Sequence, residues 1–170
     1  MKIRFVVVFL LCLSLTGFAQ KSSVDFEIKN VGITVDGHFN TFVINVELGS
    51  NAELKTISGK ITASSIETGI DSRDEHLLEE DYFHVEKHKY ITLKSTSIAK
   101  TSPSKYSVKA TLSIKGKTKS ITIPVMIQKV DGGHKITSDF EINRRDFDVG
   151  GGSFVMSKTV KIYVTHYQKL

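Results

Sequence analysis

Residues 64–95 read SSIETGIDSRDEHLLEEDYFHVEKHKYITLKS. The stretch opens as the end of a strand over 61–66, breaks at Gly69 and takes on a charged, cap-like entry at Asp71 and Ser72. The spacing then predicts a helix over 73–82, about two to three turns long. Asp71, Asp74 and Glu75 crowd its start, where carboxylates complement the free amides and the helix dipole. Leu77, Leu78 and Tyr82 recur at helical spacing and Phe83 follows, so one face is apolar. From Tyr90 the pattern returns to strand alternation. One amphipathic helix set into a chain of strands is expected to lie as a lid over the mouth of a barrel.

Outward from this stretch the signal is period two. Val24, Phe26 and Ile28 alternate with Asp25, Glu27 and Lys29, a strand with one buried face. Residues 30–37 are less regular and read as a turn or one short helical turn. Phe42, Ile44, Val46 and Leu48 face inward from the next strand, and residues 56–66 form a long one with a bulge or bend at Gly59. Further on, the inward faces are Tyr106, Val108, Ala110, Leu112 and Ile114; Ile121, Ile123, Val125 and Ile127; Ile136, Ser138, Phe140 and Ile142; and Val160, Ile162 and Val164. Pro124 lacks an amide donor, which predicts an edge, a bulge or a gap in strand pairing there. Turns fall at 49–51, 101–104, 115–117 and 131–133, with a glycine loop at 150–152. About eight strands with short connections predict an all-β chain, a sandwich or an up-and-down antiparallel barrel.

At 170 residues the chain has the length of one domain and can bury a core of its own. Apolar residues make up 40% and charged residues 24%, the balance of an ordinary soluble domain. The start differs: Lys2 and Arg4 precede an apolar run over 5–15, and Gly17-Phe18-Ala19 offers small residues to a signal peptidase. Residues 1–19 are read as a cleaved signal peptide and 20–170 as the mature domain, periplasmic or secreted. Cys12, the single cysteine, follows Leu10 and Leu11 and so lacks the small residue a lipidation site wants before its cysteine. Its loss with the leader excludes disulfides, cysteine-ligated metal and thiol chemistry from the mature protein. The net charge of +5 falls to +3 once Lys2 and Arg4 are removed, with 21 basic against 18 acidic residues. Such a mild, scattered balance argues against nucleic acid as a partner and leaves room for transient contact with anionic membranes.

Four blocks carry a resemblance. VDFEIKNVGITVDGHFNTF (24–42) has the aromatic strand and Gly-x-Phe step of a known family. Residues 64–95 follow its "ASIDTG…RDxHL…DFFDVEK" pattern. LSIKGKTKSITIPV (112–125) follows its "L-T-I-+-G-x-T-K" hairpin, and INRRDFDVG (142–150) its "INRxDFG" turn. Taken in order, they make the chain resemble the YceI-like family, bacterial secreted proteins with a lipocalin-like barrel. The resemblance covers nearly all of the mature chain. It implies an eight-stranded antiparallel barrel whose elongated apolar cavity holds a polyisoprenoid or similar long-chain lipid, with no catalysis and no cofactor. Asp148 departs from the family, standing where it has Gly, and Lys89 replaces its usual Pro.

The candidate cavity wall is Phe26, Ile28, Phe42, Ile44, Leu77, Tyr82, Phe83, Tyr106, Val108, Ile123, Phe140 and Ile162, and Val108→Trp is expected to block it. Arg73, Asp74, His76 and Asp81 match the family's helix motif. They either hold a ligand head group at the cavity mouth or cap and pin the lid by ion pairing; the second role is favoured, since such clusters commonly serve structure. His76, His84 and His88 invite a metal reading, but no His-Glu-x-x-His pattern is present and His84 and His88 fall past the helix, so no metal is assigned. Glu79, Glu80 and Asp81 are sequence neighbours that do not face one another, a solvated acidic run. Arg144, Arg145 and Asp146 are read as a structural turn with Arg144 paired internally. No Gly-x-Ser-x-Gly elbow, phosphate loop or dinucleotide fingerprint occurs, so the chain is not read as an enzyme. The alternative to a lipid carrier is a closed structural or stress-response barrel acting through its surface, as a monomer or homodimer.

Overall fold

The computed structural model describes residues 21–169; the signal-peptide reading at 1–19 lies outside them. The described chain forms β1 (Ser23–Asn30), β2 (Ile33–Phe39), β3 (Phe42–Leu48), β4 (Leu54–Thr62), β5 (Ile66–Glu67), α1 (Asp71–Leu77), β6 (Tyr90–Ser102), β7 (Lys105–Ile114), β8 (Lys117–Val130), β9 (Gly133–Asn143) and β10 (Met156–Lys169), with 3-10 turns at Ala63–Ser65 and Arg144–Phe147. The strands make one antiparallel sheet in the order β3-β4-β6-β7-β8-β9-β10-β1-β2-β5. It curls so that its ends meet at a corner, where Asn40 N donates to Ser65 O and Thr62 N to Thr41 O, each at 2.9 Å. The closure is partial: away from that corner β3 pairs only with β4, and residues 33–37 of β2 only with β1.

Ten strands stand where eight were expected, for two local reasons. Residues 30–37 are not a turn or a helical turn: Val31 and Gly32, both at positive φ, make a tight two-residue turn, and β2 returns along β1 with Asn30 opposite Ile33. The long strand expected over 56–66 is divided by the turn at Ala63–Ser65. There Ser65 Oγ donates to Thr62 O at 2.8 Å and accepts from Thr41 N at 3.0 Å, so the chain leaves its pairing with β3 and pairs with β2 instead. Gly59 is not a bulge; it sits in register between Ile44 and Leu93.

The helix is shorter than the spacing predicted. α1 ends at Leu77, and residues 78–88 fold back in turns, with Phe83 N on Leu77 O and Val85 N on Leu78 O. His84 takes a positive φ of 48° in that reversal. Asp71 is the first helical residue rather than the cap; the cap position is Ile70, which supplies no side-chain bond. Seven residues do not sustain a helix alone, and this one is held by packing Leu77, Leu78, Tyr82, Phe83 and Val85 onto the barrel core.

Pro124 marks a pairing gap. β7 pairs with β8 along its whole length, but β8 meets β9 only from Met126 onward. Beyond the split, Ser138 Oγ donates to Pro124 O at 2.6 Å. The turn Arg144–Phe147 contacts β8 across the opening, with Phe147 fully buried and Lys115 Nζ donating to Asp148 O at 2.7 Å.

Candidate functional site

The curled sheet encloses an apolar cavity of about 510 Å³, within the size range of small-ligand sites, roughly 300–1,000 Å³. Register explains its wall. The inward rows Val24, Phe26 and Ile28 of β1 pair with Val164, Ile162 and Val160 of β10, which pair in turn with Ser138, Phe140 and Ile142 of β9. All nine line the cavity. On the facing side Ile44 of β3, Gly59 and Ile61 of β4, Ile91 and Leu93 of β6, and Leu112 and Ile114 of β7 complete it.

Two glycines keep the lumen open. Gly37 pairs with Phe26, and a Cβ there would lie 2.3 Å from the Phe26 ring. Its absence lets that ring lie against the wall, 5.8 Å from the Phe39 ring. At Gly59 a Cβ would meet nothing within 4 Å, so the wall is bare at the position between Ile44 and Leu93.

Nine of the twelve residues expected in the wall line the cavity: Phe26, Ile28, Ile44, Leu77, Tyr82, Phe83, Ile123, Phe140 and Ile162. The other three lie elsewhere. Phe42 packs against the core beside the cavity. Tyr106 and Val108 belong to a second, solid cluster with Leu54, Val125, Ile127 and Ile136, in which Val108 has no exposed surface. Of the inward rows already legible as alternation, Ile142, Val160 and Val164 also line the cavity. Gly59 was legible only as a strand irregularity, because a residue without a side chain carries no periodicity.

The mouth polar cluster divides into two. Asp74 accepts from Thr68 N at 3.0 and 3.1 Å and from the Thr68 hydroxyl. Arg73 donates from Nε to Thr68 Oγ1 at 2.7 Å and from Nη2 to Thr68 O at 2.8 Å. Both side chains therefore clamp the corner between β5 and α1. Arg73 nonetheless lines the cavity, as do Thr68, Ser72 and His76. His76 bonds Glu79 through Nδ1 at 2.9 Å and stacks edge-on to Tyr82 with ring centroids 4.9 Å apart. Asp81 is exposed, and its backbone oxygen accepts from Gly150 N at 2.8 Å, tying the turns after α1 to the glycine loop. His84 and His88 sit edge to face at 5.8 Å; among the described residues no three His, Cys, Asp or Glu side chains converge as metal ligands.

Arg144 is buried, and its partners are carbonyls. Its guanidinium donates to Ser157 O, Val149 O, Gly151 O and Met156 O at 2.7–3.1 Å, with Ser153 O at 3.5 Å. Burial lowers its pKa from the usual value, and the neighbouring charge of Arg145 lowers it further. The loop over 149–157 is thereby wrapped around one cation. Asp148, which replaces the family's glycine, itself takes the left-handed conformation, φ 55° and ψ 35°, so the backbone demand stays at that position.

A family model for the YceI-like domain matches residues 18–166. An Ectopseudomonas mendocina UPF0312 protein is 26% identical over 156 residues, covering 86% of this chain and 81% of that protein. A Staphylococcus aureus UPF0312 protein is 30% identical, covering 82% and 88%. Among solved structures, Burkholderia cenocepacia BcnA superposes with a TM-score of 0.82 at 23% identity over 87% of this chain and 96% of that one. A domain from Saccharophagus degradans described as polyisoprenoid-binding and implicated in plant cell wall breakdown superposes at 0.68 and 18% identity, covering 88% and 94%. At these identities the two structures show the shared fold.

Proposed function

Because the chain belongs to the YceI-like family, we propose that it is a non-catalytic carrier that holds a long apolar molecule, a polyisoprenoid or related lipid, along its cavity. The observation that carries this reading is the cavity of about 510 Å³, lined mainly by apolar side chains, with Thr68, Ser72, Arg73 and His76 gathered on α1 and the segment before it. An amphiphile with one polar head and a long tail matches that distribution. Burial of the tail supplies the affinity, roughly 25 cal/mol per Å² of apolar surface removed from water, and is nondirectional, so cavity length and shape set selectivity. Arg73 uses two N–H groups on Thr68, which leaves three of a guanidinium's five for a head group. The Saccharophagus domain of the same fold, described as polyisoprenoid-binding, supports the choice of ligand class. The leader-like start at 1–19 supports action in the periplasm or outside the cell.

Native mass spectrometry of protein purified from its own export compartment, followed by solvent extraction, tests the reading. A discrete added mass that extracts as an apolar chain is expected in the wild type and absent from Gly59→Phe, whose ring would occupy the lumen. A bare mass with no uptake of offered isoprenols would overturn the carrier reading in favour of a barrel acting through its surface.

A further inference from the structure

Beside Asn30 and Met156 of the cavity wall lies an apolar surface that no other described residue covers. Asn30 and Met156 pair across β1 and β10, and both line the cavity. One residue further out, Val31 N donates to Val155 O at 2.9 Å, joining the β1–β2 turn to the loop before β10. At this joint Phe154 is fully exposed, Val31 and Ile33 are each 70% exposed and Val155 61%. The register shift between Ile28 and Asn30 makes a bulge at the base of this tip, where strands bend. The loop is not loosely attached: Arg144 binds its carbonyls at Val149, Gly151, Met156 and Ser157, and Arg145 donates to Ser153 O at 2.8 Å. An aromatic side chain is thus held outward in water by a buried cation. Exposed Lys29, Arg145 and Lys158 flank it in sequence, and the two acids in the same stretch are engaged, Asp146 by Asn143 and Asp148 by Lys117.

We infer that this tip is a membrane-docking surface: Phe154, Val155, Val31 and Ile33 enter the interfacial layer of an anionic bilayer while Lys29, Arg145 and Lys158 meet its head groups. Interfacial binding draws on buried apolar area together with attraction to anionic lipid. Docked in this way, Asn30 and Met156 of the cavity wall lie next to the bilayer, and a lipid passes between membrane and cavity without crossing bulk water. The inference rests on the carrier reading for its purpose but is tested separately.

The test is co-sedimentation with vesicles of phosphatidylcholine alone or with one third phosphatidylglycerol. The wild type is expected to sediment with the anionic vesicles. Phe154→Asp should weaken that binding about tenfold, the loss that follows from keeping one aromatic side chain out of the apolar layer. The Lys29→Glu, Lys158→Glu double variant should lose the preference for anionic vesicles, and Val43→Ser, at an exposed apolar site on β3, should bind as the wild type does. No sedimentation of the wild type, or equal binding by Phe154→Asp, overturns the inference. Native mass spectra of the same samples keep the two ideas apart: cargo retained in a protein that ignores vesicles sinks the docking surface alone, whereas vesicle binding by a protein that takes up no lipid sinks the carrier reading.

Discussion

The two halves of the barrel interior are built from the same alternating strands, yet one is solid and the other hollow. In the solid half Tyr106 pairs with Val125 and Ile127 with Ile136, and Val108 and Leu54 pack with them; Ile57 and Ile123 stand at the boundary, packed into this cluster and lining the cavity. In the hollow half Phe26, Ile162 and Phe140 stand side by side across three strands, and the space they face stays open. Hydrophobicity does not separate them. The difference is in how the large side chains are directed: Tyr106 is packed among aliphatic neighbours, whereas Phe26 lies against the wall over Gly37, and Gly59 presents no side chain at all. A barrel of this width can be filled or left open by such choices at a few paired positions.

The comparison can be broken in several ways. The largest effect is expected from Arg144→Met, which strips several carbonyls around the hollow half of their donor; loss of hydrogen bonds to a buried charge should cost about 3–5 kcal/mol, read as a lowered urea midpoint. Next is a matched pair. Val108→Trp, in the solid half, should destabilise by about 1–3 kcal/mol through overpacking and so unfolds rather than plugs. Gly59→Phe should cost less than about 1 kcal/mol, because it enters open space and an aromatic suits a strand. Equal losses in urea titrations of the two would erase the distinction between the halves.

A third effect depends on pH. His166, near the end of β10, is partly buried and its Nδ1 lies 3.2 Å from Ser22 Oγ; burial lowers its pKa below the ordinary 6.5. The folded state therefore binds this proton less readily than the unfolded chain. The stability it leaves intact above pH 6.5 is lost as pH falls below that value. Melting temperature should decline on acidification over this range, and less steeply in His166→Gln. The smallest effect is expected from Asp148→Gly. Relief of the left-handed backbone is worth roughly 0.5–1 kcal/mol, partly offset by loss of the exposed ion pair to Lys117 at 3.0 Å. The melting temperature should rise by about 1–3 °C, and a fall would mean that the ion pair outweighs the strain.

Much of this molecule was written in its periodicity. Alternation identified the inward rows, and with them six of the wall residues, because a strand's side-chain period of two is a local property that needs no partner; helical spacing and the residue after it marked Leu77, Tyr82 and Phe83. The four family blocks marked the lid, the hairpin over 112–125 and the turn at Arg144. Local pattern did not reach the transfer of the chain from β3 to β2 at Ser65, the early end of α1 at Leu77, or the carbonyl cage around Arg144. The first depends on Thr41, a partner distant in sequence, and the other two on irregular turns that carry no periodicity. Nor could alternation separate Val108 from Phe140, both inward and both apolar. Whether an inward side chain meets a neighbour or open space depends on the curl of the sheet and on the absent side chains of Gly37 and Gly59, and that volume exists only once the strands are paired.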